Sequence, residues 1–501
     1  MSCLLGIDLG TSSLKSMLIT EEGQMLALSA RAYQFASPHN GYAEHDPREW
    51  WKACCETVRE VLSDSGVAKE EIKSLGFSGQ MHGVVMLDKD FKVVRPAILH
   101  CDARSSEQVE WLKYTIGPDK IKNIIMNPIY TGFLLPSLLW VKTAEPENFD
   151  RIAYVMLPKD YLKFRMTGEI STDYSDASAT LAFDIKENCW SEEILRITDV
   201  SKDLFPKCYD TCAPTETVCK EAAAETGLSE KTIVTAGGGD QVMQGIGNGV
   251  TKEGQASVNI GTSGQVSFQS GIPILNPLLS TNTFCGYKKH RWFTMGAIMN
   301  AGLSYKWFNS LFETVDFESM NKKIENVKPG SGGVIFLPYL NGERTPHLNP
   351  NISGAFVGLN LNTGREELSR AVMEGVSFAL NQCIEVCGEL GLKTDSMIAS
   401  GGATKSMPWL HIQADIYNLP LRVADTEEQA SLGAAIAAGV GAGIYKDVEE
   451  GCERVVRYKD FVIEPSLENH KIYKEYYGLF KEMYQEGRGV IEKITLAGRR
   501  D

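Results

Sequence analysis

A chain of 501 residues is too long for one hydrophobic core and predicts two domains. Its 43% apolar and 23% charged residues are those of a folded globular protein, and a formal charge of −14 without a dense basic run argues against a binder of nucleic-acid backbones. Any anionic ligand must then be gripped by local backbone amides or a metal ion, against the field of the whole molecule.

The start, MSCLLGIDLG, has neither the basic stretch nor the long apolar run of a secretory signal. LLGIDLG, LKSMLIT and QMLALSARAYQF alternate as three strands, with EEGQ as the turn between the last two. A helix follows. Asp46 can cap it, Pro47 takes the first helical position, Glu49 the capping-box position, and Gly66 ends it. Trp51, Cys54, Val58, Val61 and Leu62 fall on one face, and IKSLGFSGQ (72–80) returns to strand. This order indicates a mixed α/β layer.

After a composition change at 245–255, the same grammar recurs. ASVNIGTSGQVSFQ is strand, turn and strand, and RWFTMGAIM another strand. Residues 365–390 read as a long helix with Leu368, Val372, Val376, Leu380 and Ile384 along one side, and SMIASGG as a strand entering a glycine turn. One large unit occurs twice. The apolar stretches at 132–141 and 432–444 are too short to span a membrane, the first being interrupted by Pro136 and the second rich in glycine. Twelve scattered cysteines include no Cys-x-x-Cys pair. Cys208, Cys212 and Cys219 lack a nearby histidine, so a zinc site is disfavoured and a reducing cytoplasm is the simplest setting.

Two of the turns match. GIDLGTSS (6–13) and NIGTSG (259–264) each place Gly-Thr-Ser after a strand, where backbone N–H groups and hydroxyls converge as phosphate oxygens require. A single copy is an ordinary hairpin; two copies at matching places can grip one polyphosphate across a cleft. Only the first brings a carboxylate, Asp8, where the second has Asn259, so only the first suits a Mg²⁺–phosphate centre. In TAGGGDQVMQGIGNG (235–249) three glycines precede Asp240. A capping aspartate needs no glycine triplet, whereas close approach to a ligand does. At a helix start Asp240 should be kept ionised and could accept a hydroxyl proton during phosphoryl transfer. SGQMHGVVML (78–87) sets Gln80, Met81 and His82 at a strand end, a composition suited to a polyhydroxylated molecule, and SGGATKSMPW (400–409) is one more strand-to-helix glycine turn.

GIDLGTSSLK, GQMHG, LPKDYLKFRMTGE, DYSDASAT, GGGDQ, IGTSG, FLPYLNGERTPH and SGGATKS, in this order over nearly the whole chain, resemble the FGGY carbohydrate kinases. GAFVGLNLNTGREELSRAVMEG (354–375) fits that family's second signature, and GQMHG with GERTPH is most similar to its xylulose kinases. The resemblance implies two actin-like (ribonuclease-H-like) ATPase domains, at 1–247 and 253–490, with ATP in the cleft between them. It makes Asp240 the base and Asp8 the support for Mg²⁺ and the reacting phosphoryl group, with both carboxylates near the metal. Gln80, Met81, His82, Asp240 and Gln241 would bind a ketopentose. Thr11, Ser12, Gly261 and Thr262 would touch phosphates, and Gly302, Gly402, Ala403 and Ser406 would line the adenosine pocket. The implied activity is phosphorylation of a small sugar, D-xylulose at its terminal hydroxyl, by a homodimer by family habit, with no nucleic acid or membrane as partner. A kinase of ribulose, fuculose, rhamnulose or a polyol is the alternative, and an actin- or chaperone-like ATP switch the remote one. Two departures bear on the sugar: Ser137 stands where relatives carry lysine, and His100–Cys101 where they carry tryptophan and a small or polar residue.

Overall fold

The computed structural model describes residues 2–312 and 316–499. β1 (Cys3–Leu9), β2 (Ser13–Thr20) and β3 (Met25–Ala32) form the expected antiparallel meander. In α1 (Pro47–Ser65) the Asp46 carboxylate accepts from the Arg48 N–H at 3.0 Å, Pro47 opens the helix, and Gly66 ends it at φ 63°. The cap therefore reaches Arg48 instead of the box with Glu49. Trp51, Cys54, Val58 and Val61 are buried, and Leu62 is half-buried. Each such side chain removed from water contributes ~1.5–3 kcal/mol.

β4 (Ile72–Gly79) pairs parallel with β1. A long excursion holds α2 (Leu134–Ala144), α3 (Pro158–Thr167), α4 (Tyr174–Ser178) and β5 (Pro214–Thr217). The chain returns through β6 (Ile233–Thr235) and the short β7 (Gly238–Gly239), both parallel to β4, into α5 (Asp240–Gly247). The sheet order is β5-β6-β4-β1-β2-β3, with β7 beside β4.

The second half builds β8 (Ala256–Ile260), β9 (Gly264–Ser270), β10 (Asn282–Cys285), β11 (Trp292–Ile298), α6 (Gly302–Ser310) and α7 (Arg365–Glu389). β12 (Met397–Ser400), α8 (Met407–Tyr417), β13 (Leu421–Ala424), α9 (Gln429–Gly441), β14 (Tyr458–Ile463) and α10 (Leu467–Gly498) complete it. Its sheet runs β10-β11-β9-β8-β12-β13-β14. The five strands β3-β2-β1-β4-β6 and β11-β9-β8-β12-β13 share order and direction, antiparallel in the meander and parallel beyond it. The duplication expected from the two turns is a duplication of the whole layer.

α9 does not stay with its own sheet. Glycines in β1 and β4 let it lie on the first one: a Cβ on Gly6 would come within 1.9 Å of the Ser431 carbonyl, and one on Gly76 within 2.2 Å of Ala434. Against α5 the approach is as close, Gly433 facing the Met243 carbonyl and Gly247 that of Gln429, each at 1.9 Å from a hypothetical Cβ. An ion pair from Lys15 to Glu428 at 2.6 Å closes the same seam. Among the described residues no helix is long and apolar enough to cross a membrane.

Candidate active site

The loop ends of the two sheets meet at one cavity of about 280 Å³. From the first half it takes Gln80, Met81, His82, His100, Tyr130, Phe133, Asp240 and Gln241; from the second, Ser263, Gln265, Asn282, Phe284, Met299 and Arg344. All five residues expected on the sugar side are thus brought together, beside the serine of the second turn.

Asp240 is the first residue of α5, following Gly239 as N-cap. Glycine at 239 leaves room for Met81, whose Sδ would lie 2.9 Å from a Cβ there. Loss of water, with Asp8 adding, pushes the Asp240 carboxyl up to about 7, against the opposing backbone hydrogen bond from Gln241. The ionised form expected at a helix start is thus opposed by burial first and by a second carboxylate after it. Asp8, at the end of β1, accepts from Ser78 Oγ at 2.7 Å, and burial raises its carboxyl too, opposed by Ser78 and Lys15. Two hard oxygen donors, one of which raises the proton affinity of the other, fit a divalent cation, whose charge would offset that repulsion. Among the described residues no group of three or more His, Cys, Asp or Glu could hold a metal ion. A cation here would need phosphate oxygens and water to complete its shell.

His82 sits at φ 73°, a left-handed conformation unusual for a residue with a side chain. Its ring packs on Phe133 at 4.0 Å, and its Nδ1 lies 2.9 Å from the Ala179 carbonyl. A carbonyl only accepts, so Nδ1 carries the proton. Burial depresses the imidazole to about 3, leaving a neutral ring with Nε2 as an acceptor. Gln80 ties this strand end to the first turn through Thr11 Oγ1 and the Gly10 carbonyl, both at 3.5 Å.

The first turn is closed by Gly10 N–H donating to the Ser13 carbonyl at 2.9 Å and by Tyr33 OH on the Gly10 carbonyl at 2.6 Å. Ser12 of this turn also lines a groove with Ala32–Phe35. In the second turn Gly261 N–H donates to Ser263, and the start of α6 docks on it, Gly302 N–H to Gly261 at 2.9 Å and Ala301 and Leu303 to Thr262, both at 3.1 Å. A Cβ on Gly302 would lie 2.4 Å from the Gly261 carbonyl. Gly401, at φ 84°, brings the 402–406 turn against Ile260; Ala403 is buried and Ser406 Oγ donates to Asn321 at 2.9 Å. Gly261, Thr262, Gly302, Gly402 and Ala403 therefore form one neighbourhood.

Several cavity residues had no signal of their own in the sequence. Arg344 lies within GERTPH, and among the described residues its guanidinium makes no hydrogen bond or ion pair; it stands 6.0 Å from the Tyr130 ring and acts on the Glu343 carboxylate through its charge alone. Its loop is anchored by buried Glu343, whose carboxylate accepts from the Met299 and Arg344 N–H groups at 3.0 and 2.6 Å and is pushed up to about 8 by burial. Of the departures, His100 lines the cavity, whereas Cys101 is exposed and Ser137 is buried inside α2.

Residues 3–247 match the N-terminal domain, and residues 256–442 the C-terminal domain, of the FGGY family of carbohydrate kinases. The chain belongs to that family. It is 36% identical over 485 residues to a xylulose kinase of Bacillus subtilis (strain 168), covering 97% of each chain. Among solved structures it is similar to a xyloylose kinase from Brucella ovis (TM-score 0.91, 32% identity, 97% of this chain and 100% of that one). It is also similar to a gluconate kinase from Lactobacillus acidophilus (TM-score 0.92, 25% identity, 98% and 99%). This FGGY kinase thus has two actin-like domains, and carbohydrate kinases of this kind use ATP.

Proposed function

We propose that this kinase transfers the terminal phosphoryl group of ATP to the 5-hydroxyl of D-xylulose, giving D-xylulose 5-phosphate and ADP. The observation that carries the reading is the single cavity shared by Asp240, Met81, His82 and the second-turn Ser263; similarity to named xylulose kinases supports the choice of sugar. Asp240 takes the hydroxyl proton as the O–P bond forms and the bond to ADP breaks. Its carboxyl, poised at about 7, has the affinity a general base needs at neutral pH. His82 Nε2 accepts from a sugar hydroxyl, with Gln80 and Gln241 as further partners. Thr11, Ser12, Gly261 and Thr262 hold phosphates, and Gly302, Gly402, Ala403 and Ser406 the adenosine. A Mg²⁺ ion held by Asp8 and Asp240 would neutralise charge on the phosphate oxygens. Closure of the lobes would exclude water from the transfer.

One observation favours a second reading. The unpaired Arg344 guanidinium in the cavity wall suits the carboxylate of a sugar acid better than a neutral ketose. A panel of D-xylulose, D-ribulose, L-fuculose, L-rhamnulose, glycerol and gluconate, scored for product and for sugar-stimulated ADP release, decides between them. ADP release indifferent to every sugar would reinstate the ATP switch. Asp240→Ala should lose ~10²–10⁴ of the rate; retention of more than about a tenth would exclude it as the base. The same reading carries a homodimer and a cytoplasmic site of action, tested by sedimentation and by cell fractionation.

A further inference from the structure

Beneath the base lies a cluster of buried charge. Lys159 Nζ is 2.6 Å from Asp160, 2.9 Å from Asp173 and 3.2 Å from Asp176, every partner no more than 1% exposed. Lys163 stands 3.5 Å from Asp160. Burial, with Asp173 and Asp160 adding, drives Asp176 well above the usual carboxylate range. A proton there leaves two carboxylates against two ammonium groups, a neutral set. Apolar side chains of the same volume would stabilise such a core as well or better, so the charges invite another reason.

Their outward hydrogen bonds supply one. Lys163 Nζ donates to the Ala236 carbonyl at 3.3 Å. Asp173 accepts from Ser175 N–H at 2.8 Å, Ser175 Oγ at 2.5 Å and Thr211 Oγ1 at 3.3 Å, and the Thr211 carbonyl accepts from Gly237 N–H at 3.0 Å. Ser175 Oγ in turn accepts from Gly239 N–H at 2.9 Å. Three legs from one cluster end on residues 236, 237 and 239, the turn that delivers residue 240.

We infer that Ser175 is a positioning residue for Asp240: Asp173 fixes the serine proton, the serine lone pair fixes the Gly239 N–H, and that amide sets the carboxylate against the sugar hydroxyl. The orientation is forced, since a hydroxyl has one proton and Asp173 takes it. Gly239 is the N-cap of α5, so moving it moves the first helical residue. The inference rests on Asp240 being the base.

Ser175→Ala deletes one oxygen and leaves a buried N–H without an acceptor. Misplacement near 1 Å costs up to ~10² in rate, so kcat should fall roughly 10- to 100-fold, while KM for D-xylulose and the Kd of ATP stay within about threefold. Ser175→Thr, which keeps the oxygen, should recover most of the loss. Urea midpoints of both variants confirm that folded enzyme is assayed. A folded Ser175→Ala with kcat within twofold of the parent overturns the inference, as does an equal loss in Ser175→Thr. Asp240→Ala is assayed alongside. If it is inactive while Ser175→Ala is unimpaired, the positioning role alone fails; if it retains its rate, the base and the inference fall together.

Discussion

Gly433 offers the sharpest test of how the lobes are joined. A Cβ at this position in α9 would sit 1.9 Å from the Met243 carbonyl, where ordinary contact begins at 3.4 Å. Both atoms belong to helix backbone, so neither can rotate away, and Gly433→Ala must push α9 and α5 apart by about 1.5 Å. Overpacking of this kind costs ~1–3 kcal/mol. Met243 lies one turn beyond Asp240, so part of the displacement should reach the base and lower kcat on the order of tenfold or more. Gly478→Ala is the control. It lies exposed in α10 with nothing near its Cβ, and alanine there should stabilise by ~0.5–1 kcal/mol. Urea unfolding and a coupled ADP assay on both variants give the comparison. A Gly433→Ala enzyme with the parent midpoint and the parent kcat would refute the close-packing argument.

The pH profile tests Asp240. Its raised carboxyl must ionise to act, so kcat/KM should fall about tenfold per unit below pH 7 and level off above it, and a flat profile from 5.5 to 8 would contradict the assignment. The linkage has the opposite sense: the folded state holds this proton beyond the pH where the unfolded chain releases it. Asp240's contribution to stability is therefore present in acid and lost as pH rises through about 7, which urea midpoints of the parent and Asp240→Asn at pH 5 and 8 would register. His82→Ala removes one neutral acceptor and should raise KM for the sugar by roughly fivefold, about 1 kcal/mol, with KM for ATP unmoved; initial rates at varied sugar check it. Lys159→Met strands three buried carboxyls and should destabilise by ~3–5 kcal/mol, read from the urea midpoint.

Local rules carried well where local physics decides. Asp46, Pro47 and Gly66 marked both ends of α1, and the meander strands followed from alternation. The repeated Gly-Thr-Ser turns exposed the duplication because each joins the same two antiparallel strands of its sheet. What stayed hidden depends on partners distant in the chain. LPKDYL and DYSDAS read as motifs without a role, since nothing local says that Lys159, Asp173 and Asp176 are buried against one another. Arg344 reaches the cavity on a loop whose course no periodicity predicts. The stretch 432–444 read only as too short for a membrane; its small residues are what let α9 touch β1, β4 and α5 backbone to backbone. The raised carboxyl of Asp240 has no local signal, because the helix terminus is visible in sequence whereas its burial and the nearness of Asp8, 232 positions earlier, are not.

The placement of α9 also constrains synthesis. Leu4, Met17 and Ile19 share one apolar cluster with Leu432, Ala434 and Ile436. Until the ribosome has delivered residues near 441, one face of the earliest sheet stays wet, so the amino-terminal lobe must wait, half dressed, for the carboxyl-terminal one. Nascent chains halted before that point should be open to proteases and attractive to chaperones, and a gene cut between the lobes should yield an aggregating first product.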